Sequence, residues 1–164
     1  MVKQVYKGGK LVAENGKMLH QKEKNTDWST EIKERVFHSF HRVPITVEEL
    51  QLKETTGTHQ RVIDMVAHEL ITKERIEEWK ELPGVAPGVD ISRDIVKLAA
   101  IERHKNTGHV GLGFLGKYGL KKGAVAYVRI GHDSHNLVIA GVTDEDIVIA
   151  GNRVIEMEGT CHCP

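Results

Sequence analysis

The sequence predicts an α+β domain: a mixed β-sheet with a C-terminal helix packed on it, plus a small N-terminal β-meander. Three observations predict it. Short extended runs at the start are punctuated by Gly8-Gly9 and Asn15-Gly16, two-residue turns that permit positive φ. Three β-branched runs with glycine-rich connections occupy residues 109–141. Behind them Thr143 opens an acidic first turn, Asp144-Glu145-Asp146, which suits the positive end of a helix.

In chain order, "VKQVYK", "KLVAE" and "KML" are the strands of the meander, and the polar residues 20–35 are expected on the surface. "VFHSFHRVPITVEELQL" reads as a short extended segment with Pro44 as a breaker, followed by a turn capped by Thr46. "HQRVIDMVAHELIT" reads as a strand, and Thr72 with "KERIEEWKEL" as a capped, charge-paired helix. The two Pro-Gly steps in "PGVAPGVD", residues 83–90, mark a loop. "DIVKLAAIERH" fits either a helix face, through Ile95, Leu98 and Ala99, or a strand running into a turn at "NTG". "HVGLGFLGKYG", "AVAYVRIG" and "NLVIAG" are strands, and "TDEDIVIAGNRVIEMEG" is the last helix, stopped by Gly159.

A chain of 164 residues suffices for one domain with a core, or one domain plus a small appendage. Lys+Arg and Asp+Glu balance at 23 each without a basic block, which argues against a nucleic-acid partner. The apolar runs are too short for a membrane span, and "MVKQVYKGGK" lacks the apolar core of a signal peptide; a cytoplasmic protein is expected. Cys161 and Cys163, one residue apart, are poorly placed to bridge to each other.

Three motifs carry potential chemistry. "GLGFLG", residues 111–116, matches G-x-G-x-x-G, but Gly119 and Gly123 hinder the helix that a dinucleotide fingerprint requires. Close strand packing explains these glycines better. Cys161-His162-Cys163 offers three donors in a row without a second ligand pair, and reads as a disordered terminus. The pair His38 and His41 belongs with this second case: it could share a helix face, or simply lie on the surface beside Phe37 and Phe40.

The third motif is "GHDSHN". It is either a tight polar turn or a site, since Gly131, Asp133, Ser134 and Asn136 all form turns while a hairpin needs no imidazole. His132 and His135 could carry protons or bind a ligand, Asp133 could fix a tautomer, and the Asn136 amide could read a heterocycle edge. His132, Asp133, Ser134, His135 and Asn136 are therefore the substrate-proximal candidates. No catalytic residue and no metal ligand is assigned. A metal site built from the ten histidines finds no other set at ligand spacing.

The block from "HVGLGFLGKYG" through "HDSHN" and "DEDI" to "NRVIEM", with "DIVKLAAIERH" before it, resembles the C-terminal domain of adenine deaminases of the amidohydrolase superfamily. "VYKGGKLVAENGKML" resembles the short β segment that follows the metal-bearing barrel there, and "RVIDMVAHELITKE" the strand leading into the C-terminal domain. The resemblance implies two parts: 1–58, a β-meander and linker, and 59–164, the C-terminal-like α+β domain. The family converts adenine and water to hypoxanthine and ammonia with manganese or iron in a (β/α)₈ barrel, where a metal-activated water attacks the ring carbon bearing the amine. This sequence has no His-x-His barrel pair and is too short for that barrel. No cofactor is expected on this chain alone.

The resemblance thus implies an accessory domain that would cover the purine site, with adenine or a related purine and a separate barrel chain as partners, and a homo-oligomer left open. The alternatives are a purine-binding regulatory module without chemistry, or a truncated relict. Family members continue past the last helix into another glycine-rich strand, so the ending "EGTCHCP" is expected to leave a sheet edge unpaired.

Overall fold

The computed structural model describes residues 2–19, 28–52, 57–128, 134–158 and 161–163. Two compact units emerge, 1–34 and 35–164.

In the first unit, β1 (Gln4–Lys7), β2 (Lys10–Glu14) and β3 (Lys17–Met18) form an antiparallel meander in that order. Both tight turns use the left-handed region, with φ of 57° and 75° at Gly8 and Gly9, and 50° and 79° at Asn15 and Gly16. Those values are what type I′ hairpins need. Residues 28–34 are exposed, as the polar composition implies, but they enter a helix that the sequence reading did not foresee: α1 (Thr30–Phe37). The Ser29 carbonyl accepts the Lys33 N–H at its start, at 3.0 Å.

The second unit is built on a seven-stranded mixed sheet. Its strands are β4 (His59–Met65), β5 (Thr72–Glu78), β6 (Ile95–Ile101), β7 (Val110–Gly116), β8 (Ala124–Tyr127), β9 (Leu137–Gly141) and β10 (Cys161–Cys163). Their order is β10-β8-β9-β6-β7-β4-β5, antiparallel throughout except for the parallel pair β4–β7. The helix α2 (Asp144–Met157) lies across β8, β9 and β10. It buries Ile147, Ala150 and Val154 against Ala99, Ile101, Ala124, Ala126, Leu137 and Ile139. Thr143 caps α2 through its hydroxyl, which accepts the Asp146 N–H at 3.0 Å. The helix ends at Glu158, in the left-handed region at φ 48°, and Gly159 lies outside the described residues.

Three expectations are corrected and one open alternative is resolved. Residues 72–78 are a strand, not a helix. The i,i+4 charge pattern is satisfied instead at strand spacing, where Arg75 and Glu77 project together and reach Asp64 and Arg93. Arg61 pairs with Glu74 on the other side of the β4–β5 ribbon, so each face of the ribbon carries a cross-strand ion pair. The ambiguous 95–101 segment is strand β6, with Ile95, Lys97, Ala99 and Ile101 buried on one face and burial fading from Val96 through Leu98 to the exposed Ala100 on the other. Residues 48–50 make one 3₁₀ turn, but its cap position is Val47; Thr46 contributes its backbone N–H to Glu49 Oε2 at 3.0 Å. Finally, residues 161–163 are ordered as β10, paired to β8 through Cys161↔Ala126 and Cys163↔Ala124, so the edge of β8 is covered.

No helix among the described residues is long and apolar enough to cross a membrane.

Candidate functional site

The G-x-G-x-x-G segment is strand β7, not a turn opening a helix. Gly116 is there for close approach: a Cβ would lie 2.9 Å from Val62 Cγ1 and 2.6 Å from Arg75 Nη2. His38 and His41 lie beyond the end of α1 and share no helix face. His38 Nδ1 is 3.1 Å from Glu158 Oε1, and the His41 backbone N–H donates to the Arg103 carbonyl at 2.8 Å.

Of the "GHDSHN" candidates, His132 and Asp133 lie outside the described residues. Ser134 and His135 are exposed and Asn136 is half-buried, directly before β9. His135 has φ 49°, a left-handed conformation uncommon for non-glycine residues, though histidine adopts it more readily than most. Asn136 Oδ1 is buried and has no hydrogen-bond partner among the described residues. A buried amide oxygen left unpaired is costly, so this atom is an acceptor suited to a donor from outside those residues.

The surroundings are set by the end of β6, which the sequence reading did not single out. β6 pairs antiparallel with β9 up to Ile101↔Leu137, and Arg103, two residues past Ile101, reaches His135, two residues before Leu137. Arg103 is buried, at 8% exposure. Its Nε donates to the His135 carbonyl at 2.7 Å, and its Nη1 donates to the Ser39 carbonyl at 3.0 Å and to Ser39 Oγ at 2.9 Å. Its guanidinium carbon sits 4.6 Å from the Phe40 ring centroid. Burial lowers the Arg103 pKa and the neighbouring Glu102 charge opposes that; an arginine remains charged regardless. His104 Nε2 lies 2.8 Å from the Ser134 carbonyl, which selects the tautomer with the proton on Nε2.

Glu102 gives this turn its rigidity. Its carboxylate accepts the backbone N–H groups of His104, Lys105 and Thr107 at 2.5, 2.8 and 3.0 Å, and the Thr107 hydroxyl at 3.0 Å. The Thr107 N–H leads in holding the Glu102 pKa down to about 2, with desolvation opposing and the other donors adding. No spacing rule announces Arg103 or Glu102; the signal was only that "ERH" follows a strand directly.

Among the described residues, no three His, Cys, Asp or Glu side chains gather as a metal-holding group. No chemical step on this chain is routed through the manganese or iron of the resembled family.

Comparison with known proteins extends the picture. The family described as the adenine deaminase C-terminal domain matches residues 69–163. The chain is 37% identical to the adenine deaminase of Lysinibacillus sphaericus over 158 residues, 96% of this chain and 26% of that protein. It is 40% identical to adenine deaminase 2 of Carboxydothermus hydrogenoformans over 158 residues, again 96% and 26%. With the adenine deaminase of Archaeoglobus fulgidus it shares 46% identity over 115 residues, 70% of this chain and 19% of that one. The chain thus spans about a quarter of the length of the curated relatives it matches over nearly all of its own.

Proposed function

Because the chain belongs to the family of adenine deaminase C-terminal domains, we propose that it serves adenine deamination as the accessory domain that covers the purine site. The observation that carries this reading is the extent of the match, 96% of the chain against named adenine deaminases. The catalytic barrel, with its metal, is then supplied by a separate chain or by the remainder of a longer polypeptide.

In this reading the segment 132–136 closes over adenine. Asn136 Oδ1, without a partner among the described residues, takes an N–H from the purine edge, while the amide nitrogen donates to a ring nitrogen. An amide is suited to this because it offers an acceptor and a donor side by side. His135, exposed beside Asn136, and His132 supply imidazoles, the side chains suited to accept or return a proton. Closure also excludes water from everything except the attacking oxygen.

The test is a chimera carrying this chain in place of the matched C-terminal segment of the Lysinibacillus sphaericus enzyme, assayed as ammonia release from adenine. Histidine and amide truncations, His135→Ala and Asn136→Ala, are expected to raise KM or lower kcat about tenfold or more, the scale of one lost site hydrogen bond. Unchanged kcat and KM in both variants would overturn the proposal. Adenine binding by the isolated chain together with an inactive chimera would favour a regulatory purine-binding module.

A further inference from the structure

A short loop that must present His135 and Asn136 in one direction needs something to hold its backbone. The turn after β6 does this from below. Glu102 knots residues 104–107 by four hydrogen bonds, so Arg103 and His104 leave a rigid base. From that base Arg103 reaches the His135 carbonyl and His104 reaches the Ser134 carbonyl, two consecutive acceptors of the same loop. The other arm of the Arg103 fork grips Ser39, 64 residues away in sequence, and its face lies on Phe40.

We infer that Arg103 is the positioning residue of the candidate site: together with His104 it latches the Ser134 and His135 carbonyls, imposes the left-handed backbone at His135, and so sets the direction of the His135 and Asn136 side chains. A guanidinium suits the task because its planar N–H fork bonds two separate segments at once, and a lysine ammonium, a point donor on a flexible stem, does not reproduce that geometry. The inference deepens the proposed function and rests on it for the identity of the ligand, adenine; the latch itself rests on the hydrogen bonds alone.

The experiment uses the full chain. Backbone amide exchange and ¹⁵N relaxation are read at residues 134–137, at Ala99 in β6 and at Ile139 in β9, alongside a titration with adenine. Arg103→Lys keeps the charge and is expected to fold with exchange at Ala99 and Ile139 unchanged. Exchange at 135–137 should quicken, and adenine affinity should fall about tenfold, as loss of a charge-assisted bond implies. His104→Ala, which removes the second anchor and leaves the core untouched, should move the same residues to a smaller extent. Residues 134–137 as protected in both variants as in the wild type would overturn the latch, as would a mobilised loop with unaltered adenine affinity. Where the chain alone binds no adenine, the affinity arm is read as KM for adenine in the Lysinibacillus sphaericus chimera: an unchanged KM in Arg103→Lys overturns the latch, and a wild-type chimera without activity overturns the purine reading instead.

Discussion

Lys97, wholly buried in the middle of β6, donates from Nζ to Asp144 Oδ1 at 2.6 Å and to the Leu50 carbonyl at 2.5 Å. One ammonium thus ties the central strand to the first turn of α2 and to the 3₁₀ turn at Glu48–Leu50. Lysine is almost never fully buried unless paired, and here the pair is supplied by a helix whose acidic N-terminus also matches its own dipole.

Removing one partner should cost far more than removing both. Lys97→Met leaves Asp144 and the Leu50 carbonyl without their donor and is expected to destabilise the chain by about 3–5 kcal/mol. The double variant Lys97→Met, Asp144→Asn should recover a substantial part of that loss. Urea unfolding of the two single variants and the double variant measures the coupling, and strictly additive losses would contradict a direct pair.

Gly116 should not tolerate even a methyl group. An added Cβ would sit 2.9 Å from Val62 Cγ1 and would displace the Asp64–Arg75 pair, which closes at 2.9 Å. Gly116→Ala is expected to cost about 1–3 kcal/mol by overpacking, against a small entropic gain from the lost glycine. Gly113→Ala, on the same strand with open space at its Cβ, is the control and should be close to neutral or mildly stabilising in thermal unfolding.

Arg75 links Asp64, Glu77 and, through Glu77, Arg93 on the charged edge of the sheet. Arg75→Lys keeps the charge but cannot span both carboxylates, so a loss of about 1–2 kcal/mol in urea is expected. Because these side chains are partly exposed, the loss should shrink in high salt. A salt-independent loss would point to packing instead.

Acid should loosen two turns together. The Glu102 pKa is held at about 2 against an ordinary 4.5, first by the Thr107 N–H, and that of Asp90 at about 2 against 3.8, first by the Ser92 hydroxyl. Depressed carboxyl values mean that the unfolded chain binds more protons as pH falls, so folded stability falls with it. The contribution is complete above the ordinary values and is lost as pH drops from there through about 2. Urea midpoints measured across that window should decline, and Glu102→Gln should flatten the slope. Amide exchange at residues 104–107 should report the Glu102 share first.

The meander, the last helix and the three strands behind it were legible because each is dictated locally. Gly8-Gly9 and Asn15-Gly16 can take positive φ where most residues cannot, and Thr143 supplies its cap oxygen three residues from the N–H that needs it. The similarity of the chain to adenine deaminases was likewise legible along its length. Residues 72–78 were misread because their charges satisfy i,i+4 spacing as well as cross-strand spacing, and only the presence of Asp64 and Arg93 opposite makes the strand preferable. The ordering of Cys161–Cys163 depends on the unpaired edge of β8, a hydrogen-bonding surface that no local pattern displays. Around the candidate site, the polar run at 132–136 was visible as composition, but its anchors were not. Arg103 meets His135 across 32 residues and Ser39 across 64, because strand register carries it there. Local backbone preference is written residue by residue and so belongs to the sequence; which distant donor meets which acceptor is settled only when the sheet closes and burial makes every unpaired polar group costly.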